Sequence, residues 1–238
     1  GIVGESLSAK RAYEIGRIAA ESLGENQELY MAGDHRKSTP LLKSAVCAGL
    51  LAGGVDVLDC GMLPTPLMSR TSARMNRYGL MVTASHNSPE WNGFQFLEKD
   101  SHIFGPEWEI NVKSRFGNPP EELSFDRLGN YDHYLSALDE YTEELLGEVE
   151  INKSFNILAD FGHGTATLVV PTLFETLGIE YTAMHLGINP AFLKDLYHRI
   201  AQASQKTLQD VCDFVKNNKL DLGIVYDGDA DRLMVIDD

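Results

Sequence analysis

Cysteine is scarce in this chain. Only Cys47, Cys60 and Cys212 occur among 238 residues, and no two stand in a CxxC spacing. An odd, scattered set excludes a disulfide framework and offers no zinc site. Cys47 and Cys212 fall within helical patterns and Cys60 ends a strand-like run, so all three read as buried thiols in a reducing cytoplasm. Basic residues are also few: 20 Lys and Arg stand against 35 Asp and Glu, a formal charge of −15. That balance argues against a broad nucleic-acid or anionic-lipid surface, so no nucleic-acid or membrane partner is expected. Long apolar runs are missing too. Gly79-Leu80-Met81-Val82 is far too short to cross a bilayer. Lys10 and Arg11 lead into an amphipathic pattern, not the apolar core of a signal peptide. Asn152-Lys153-Ser154 matches a glycosylation sequon by chance.

Several catalytic signatures are absent as well. No G-x-x-x-x-G-K-[ST] occurs, which excludes a P-loop NTPase, and no G-x-S-x-G surrounds a serine. Gly162-His163-Gly164-Thr165-Ala166-Thr167 supplies two glycines of a dinucleotide fingerprint but has Thr167 where the third belongs.

What is present is a soluble globular composition, 43% apolar and 23% charged, long enough for one large or two ordinary domains. Helical spacing runs from Ser8 to Leu23, with Ser8 as N-cap and Gly24 past the end. Strand 29–32 follows, then a loop to Ser38 and a helix from Thr39-Pro40 to Ala52, with proline at the start where no amide partner is lost. The pattern continues as strand 55–58, helix 66–75, strand 79–82, strand 93–97 and helix 106–116. Gly117-Asn118-Pro119-Pro120-Glu121 is a loop, and Tyr131 to Leu146 has a helical period ending at Gly147.

A second unit then reads as strand 155–159, loop 162–165, helix 167–177, strand 180–184, helix 208–216, strand 222–226 and strand 233–236. Alternating strands and helices predict an α/β protein of two domains, 1–147 and 148–238. Each is expected to be a mixed, mostly parallel sheet with helices on both faces.

Two loops at strand ends carry the chemistry, where ligands of open α/β sheets sit. Thr83-Ala84-Ser85-His86-Asn87 offers a hydroxyl, an imidazole and an amide. Asp227-Gly228-Asp229-Ala230-Asp231-Arg232 gathers three carboxylates in five residues after an apolar run. In an extended segment Asp227, Asp229 and Asp231 point the same way and could share one cation. Hard oxygen ligands favour magnesium, calcium or manganese over zinc. An EF-hand starting at Asp227 would need Gly and Glu where Arg232 and Asp238 stand, and a strand follows instead of a helix. Arg232 could neutralise a carboxylate or bind a phosphate that also touches the metal.

Thr83 to Asn87, followed by Trp91-Asn92-Gly93-Phe94, resembles the phosphoserine loop of the α-D-phosphohexomutases. Asp227 to Arg232 is similar to their magnesium loop. Gly1-Ile2-Val3-Gly4-Glu5-Ser6-Leu7, Gly33-Asp34-His35-Arg36 and Gly61-Met62-Leu63-Pro64-Thr65-Pro66 resemble three further motifs in the right order. The likeness spans the chain and is nearest to bacterial phosphomannomutase/phosphoglucomutase. It implies interconversion of hexose 1-phosphate and hexose 6-phosphate through a bisphosphate. Ser85 would be the phosphoryl donor, with Mg2+ held by Asp227, Asp229, Asp231 and an oxygen on Ser85. Arg36, His86 and Arg232 would join the catalytic group, and Asn87, Asn92 and Gln95 the substrate contacts. Such catalysis is mainly positioning and electrostatics.

Departures from the pattern are specific. Gln95 stands where the family has a lysine and cannot titrate. Ser88 replaces a proline, His163 replaces an asparagine, and the stretch Leu196-Tyr197-His198-Arg199-Ile200-Ala201 lacks the family's P-x-P-D-P. The family has four domains, and the sequence covers two. Its C-terminal domains, with the G-E-M-S-G-H loop that chooses the sugar and the loop that grips the distal phosphate, are expected to complete the site. A non-catalytic phosphosugar or metal-binding module and a metal-dependent phosphatase remain as other readings.

Overall fold

The computed structural model describes residues 1–192 and 208–237. Leu196 to Ala201, the stretch that departs from the family's P-x-P-D-P, lies outside the described residues. Two sheets carry the fold. The first takes β1 (Glu28–Gly33), β2 (Asp56–Met62), β3 (Tyr78–Val82), β4 (Phe94–Leu97) and β5 (Tyr131–His133) in the order β4-β3-β1-β2-β5. β1 runs parallel to β2 and β3, β2 parallel to β5, and only β4 is antiparallel.

Side chains alternate across this sheet as the pleat requires. Leu29 and Met31 of β1 join one core with α1 (Ala9–Leu23), α2 (Thr39–Ala52) and α4 (Pro106–Ser114). Tyr30 and Ala32 join the opposite core with α3 (Thr65–Met75) and α5 (Ala137–Glu148). Both faces are therefore covered, as the sequence implies for a buried parallel sheet.

The second sheet has β6 (Asn156–Asp160), β7 (Glu180–Met184), β8 (Leu222–Tyr226) and β9 (Leu233–Ile236) in the order β7-β6-β8-β9, antiparallel only at β9. α7 (Gln209–Asn218) packs on one face through Val211 and Val215. α6 (Val170–Thr176) covers the other with Val170 and Phe174 around Phe161. α5 bridges the two units, touching α3 on one side and α6 on the other. Arg70 and Arg74 of α3 pair with Glu144 and Glu140 of α5.

Local signals explain most boundaries. Ser8 accepts from the Arg11 amide at 3.2 Å, capping α1, and Gly24 ends it at φ 92°. α1 and α2 cross with their backbones in contact. A Cβ on Gly16 would lie 2.2 Å from the Val46 carbonyl, and one on Gly49 would lie 2.2 Å from that of Tyr13.

Three expectations need correction. Tyr131 to Leu146 is not one helix: Tyr131–His133 adds an edge strand to β2, and α5 starts only at Ala137. The helical period of that stretch belongs to α5, while Tyr131 is drawn to the sheet by its hydroxyl bond to Asp59 at 2.9 Å. The helix expected over 167–177 is a 3-10 turn at Thr165–Leu168 and then α6, with Pro171 in the first turn of α6. Cys212 is only half-buried, whereas Cys47 and Cys60 are buried; all three are free thiols.

Candidate functional site

The two loops singled out in the sequence meet. β3 delivers Ser85 and β8 delivers Asp227 to the C-terminal ends of their sheets. Ser85 Oγ lies 2.8 Å from Asp227 Oδ2 and 3.1 Å from Asp231 Oδ1, across 142 and 146 residues of chain. One carboxylate oxygen from each of Asp227, Asp229 and Asp231 falls within 4.8 Å of the others. Convergence does not come from an extended run. The acidic loop turns, with Ala230 in the left-handed region at φ 58° and its amide 3.3 Å from the Asp227 carbonyl. A turn brings all three carboxylates closer than a straight segment would. Gly164 fits against this loop, where a Cβ would come within 2.7 Å of the Gly228 carbonyl.

Asp227 and Asp229 are fully buried and Asp231 is exposed. Burial, reinforced by the neighbouring carboxylates, pushes Asp227 up to about 8; burial and Asp231 push Asp229 up to about 6. Like charges so close disfavour ionisation. Asp229 Oδ2 lies 2.7 Å from Thr65 Oγ1 and 2.8 Å from Thr83 Oγ1, whereas its buried Oδ1 has no hydrogen-bond partner among the described residues. A buried carboxylate oxygen left bare beside two other carboxylates fits a hard divalent cation, whose ligands are oxygens.

Ser85 itself is held at φ 47°, a left-handed conformation unusual for a residue with a side chain. Two devices fix it. Its amide donates to Thr83 Oγ1 at 2.9 Å. Its carbonyl accepts from Arg36 Nη2 at 2.6 Å. Arg36 spends its remaining donors similarly: on the Asn87 carbonyl at 2.7 Å, the Ser88 carbonyl at 2.8 Å, the Trp91 carbonyl at 2.9 Å and Asp34 Oδ2 at 3.0 Å. The guanidinium is 1% exposed, and its fork grips the serine loop by the backbone.

His86 Nδ1 stands 3.3 Å from Ser85 Oγ. Burial, and then the charge of Arg232, lower the His86 pKa. Arg232 is exposed at the rim, its Nε 3.8 Å from Asp231 Oδ1. Asn87 is half-buried in the same loop. Asn92 is 1% exposed and donates its side-chain amide to Ser38 Oγ at 2.9 Å and Thr39 Oγ1 at 3.1 Å, so it ties loops together. Gln95 lies on β4 opposite Met81, one residue in from the strand end near Ser85.

Asp34, Thr39, Thr65 and Thr83 escaped the sequence reading. Asp34 Oδ1 accepts from Thr39 Oγ1 at 2.7 Å and from the Arg36 amide at 3.0 Å, which anchors the arginine. Asp34, Thr65 and Thr83 stand within motifs quoted from the sequence, but no role for their side chains was legible there. His35 is buried beside the Gly228 peptide, and burial lowers its pKa.

Two open α/β sheets that set a serine hydroxyl against a cluster of three carboxylates define a class of protein whose site lies where the two sheets meet. Comparison with known proteins makes the assignment. The profile of phosphoglucomutase/phosphomannomutase α/β/α domain I matches residues 1–121, that of domain II matches residues 132–238, and the chain belongs to this family. A phosphoglucosamine mutase of Methanococcus aeolicus is 33% identical over 246 residues, covering 100% of this chain and 53% of its own length. One from Methanocaldococcus jannaschii is 31% identical over 243 residues and is covered over 52%. A phosphoglucomutase/phosphomannomutase family protein from Burkholderia thailandensis superposes with a TM-score of 0.85 at 30% identity, covering 100% of this chain and 52% of that one. The fold also matches a phosphomannomutase-like structure from Thermus thermophilus, with a TM-score of 0.81 at 20% identity, over 99% of this chain and 54% of that one. The chain thus spans about half the length of the relatives it matches.

Proposed function

We propose that this chain carries the phosphoryl-donating half of a phosphohexomutase site. The observation that carries the reading is Ser85 Oγ, 2.8 Å from Asp227 Oδ2, facing three carboxylates of which Asp229 leaves an oxygen unsatisfied. In this reading Ser85 bears a phosphoryl group. The P–Oγ bond breaks as a P–O bond forms to a hydroxyl of a hexose or hexosamine monophosphate, and the bisphosphate, turned around, returns its other phosphoryl group to Ser85. Gln95 cannot take the proton of the attacking hydroxyl; it passes to His86, whose Nδ1 stands 3.3 Å from Ser85 Oγ, and from there to Ser85 Oγ as that oxygen leaves. Asp227, Asp229 and Asp231 with an oxygen on Ser85 would hold Mg2+, which when bound draws charge from the transferring group. Arg232 at the rim reaches the same phosphate, and Asn87 and Gln95 line the sugar's approach. Arg36 and Asn92 act by holding the loops.

The names of the relatives support a sugar phosphate as substrate. The chain spans about half the length of its relatives, so we expect little turnover of the 238 residues alone. Rapid conversion of glucose 1-phosphate to glucose 6-phosphate by this chain would overturn that expectation. No described helix is long and apolar enough to cross a membrane, and the free thiols suit a reducing cytoplasm.

The test is intact mass of protein made in cells, with Ser85→Ala as control. One phosphate mapping to Ser85, lost in the variant, is the expected result. Unmodified protein that is also indifferent to magnesium would replace this reading with the binding module that Gln95 favours.

A further inference from the structure

Asp229 meets its cation-facing role only if one oxygen is pinned and the other left free, and the pinning comes from the first domain. Thr65, 6% exposed, opens α3 and makes two bonds to that single residue: its amide donates to the Asp229 carbonyl at 2.8 Å and its hydroxyl to Oδ2 at 2.7 Å. The first amides of a helix have no partner inside it, so the Thr65 N–H is available. The same helix start points its positive end at the acidic loop.

Thr83 also approaches Oδ2, but its one hydroxyl proton is shared between Asp229 and Asp34, each at 2.8 Å. Thr65 Oγ1 has no second acceptor among the described residues. With Oδ2 tied down, the carboxylate plane is set and Oδ1 is left buried and bare, in a residue with an oxygen within 4.8 Å of one from each of Asp227 and Asp231.

We propose that Thr65 is the positioning residue that aims Asp229 at the cation, so that a helix start in one domain sets the metal affinity of a loop in the other. The inference rests on reading the three aspartates as a cation site. Hydrogen-bond partners that orient metal ligands are worth 10–100-fold in metal affinity when removed, roughly.

Calorimetric titration of Mg2+, repeated with Mn2+, into the 238-residue chain tests it. Thr65→Val should weaken binding by about 10–100-fold, while Thr65→Ser, which keeps the hydroxyl, should bind close to wild type. Thr65→Ala replaces the valine variant if that one fails to melt cooperatively without metal. Thr65→Val or Thr65→Ala binding like wild type overturns the proposal, as does Thr65→Ser binding as weakly as Thr65→Ala, which would assign the effect to packing. A different result sinks the cation reading instead: wild type that takes up no metal, or Asp229→Asn that binds as tightly as wild type.

Discussion

Removing Arg36 should unfold the serine loop before it touches any chemistry. Its guanidinium is 1% exposed and bonds to four loop carbonyls and to Asp34. Arg36→Met would strand the Asp34 carboxylate, 3% exposed, with only neutral hydroxyls and amides around it. Breaking a buried ion pair from one side costs about 3–5 kcal/mol. At about 2–4 °C per kcal/mol for a unit of this size, the midpoint of the first domain should fall by roughly 6–20 °C. Arg36→Lys keeps the charge but not the planar fork, and should lose much of the same stability. Thermal melts followed by circular dichroism give the midpoint, and limited proteolysis across residues 85–91 reports the loop. Melts of Arg36→Met within about 2 °C of wild type, with the loop still resistant, would refute the clamp. A drop in Ser85 phosphorylation without loss of stability would instead make Arg36 a direct phosphate ligand.

Magnesium and pH should be linked. Asp227 and Asp229 are raised to about 8 and about 6, so the folded, metal-free protein keeps protons that the unfolded chain releases near pH 4. This cluster's contribution is therefore favourable at low pH and is lost as pH rises through those values. Stabilisation by Mg2+ should accordingly be small near pH 5.5 and large near about 8.5, with protons released on binding. An equal shift in melting temperature at both would count against the site. At the helix crossing, Gly16→Ala should cost about 1–3 kcal/mol because α1 must move off α2. Gly147→Ala in α5, with nothing within 4 Å of the added carbon, should be neutral or gain up to about 1 kcal/mol. Chemical denaturation of the pair compares them directly; equal losses would refute the crossing argument.

The sequence made the strands and the two loops legible because each is a local pattern. Apolar runs ending in Ser85 or Asp227 are visible without any knowledge of pairing. Roles set by distant partners were not. By resemblance Arg36 reads as a catalytic residue, yet four carbonyls from residues 85–91 surround it, and Asn92 reads as a substrate contact, yet Ser38 and Thr39 take its amide. Thr65 sits 164 residues from its acceptor, a separation no spacing rule spans. Tyr131 illustrates the converse error, since a helical period downstream was extended over a residue that the sheet edge claims.

The left-handed backbone at Ser85 restricts which residues can stand there, apart from their reactivity. Threonine offers the same hydroxyl, yet its branched Cβ is a genuine outlier at φ 47°. Asparagine and aspartate tolerate that conformation far better and carry no hydroxyl at all. Position 85 therefore admits residues in an order that runs against their chemical likeness to serine. The peptide geometry, not the functional group, decides which replacements leave the loop intact.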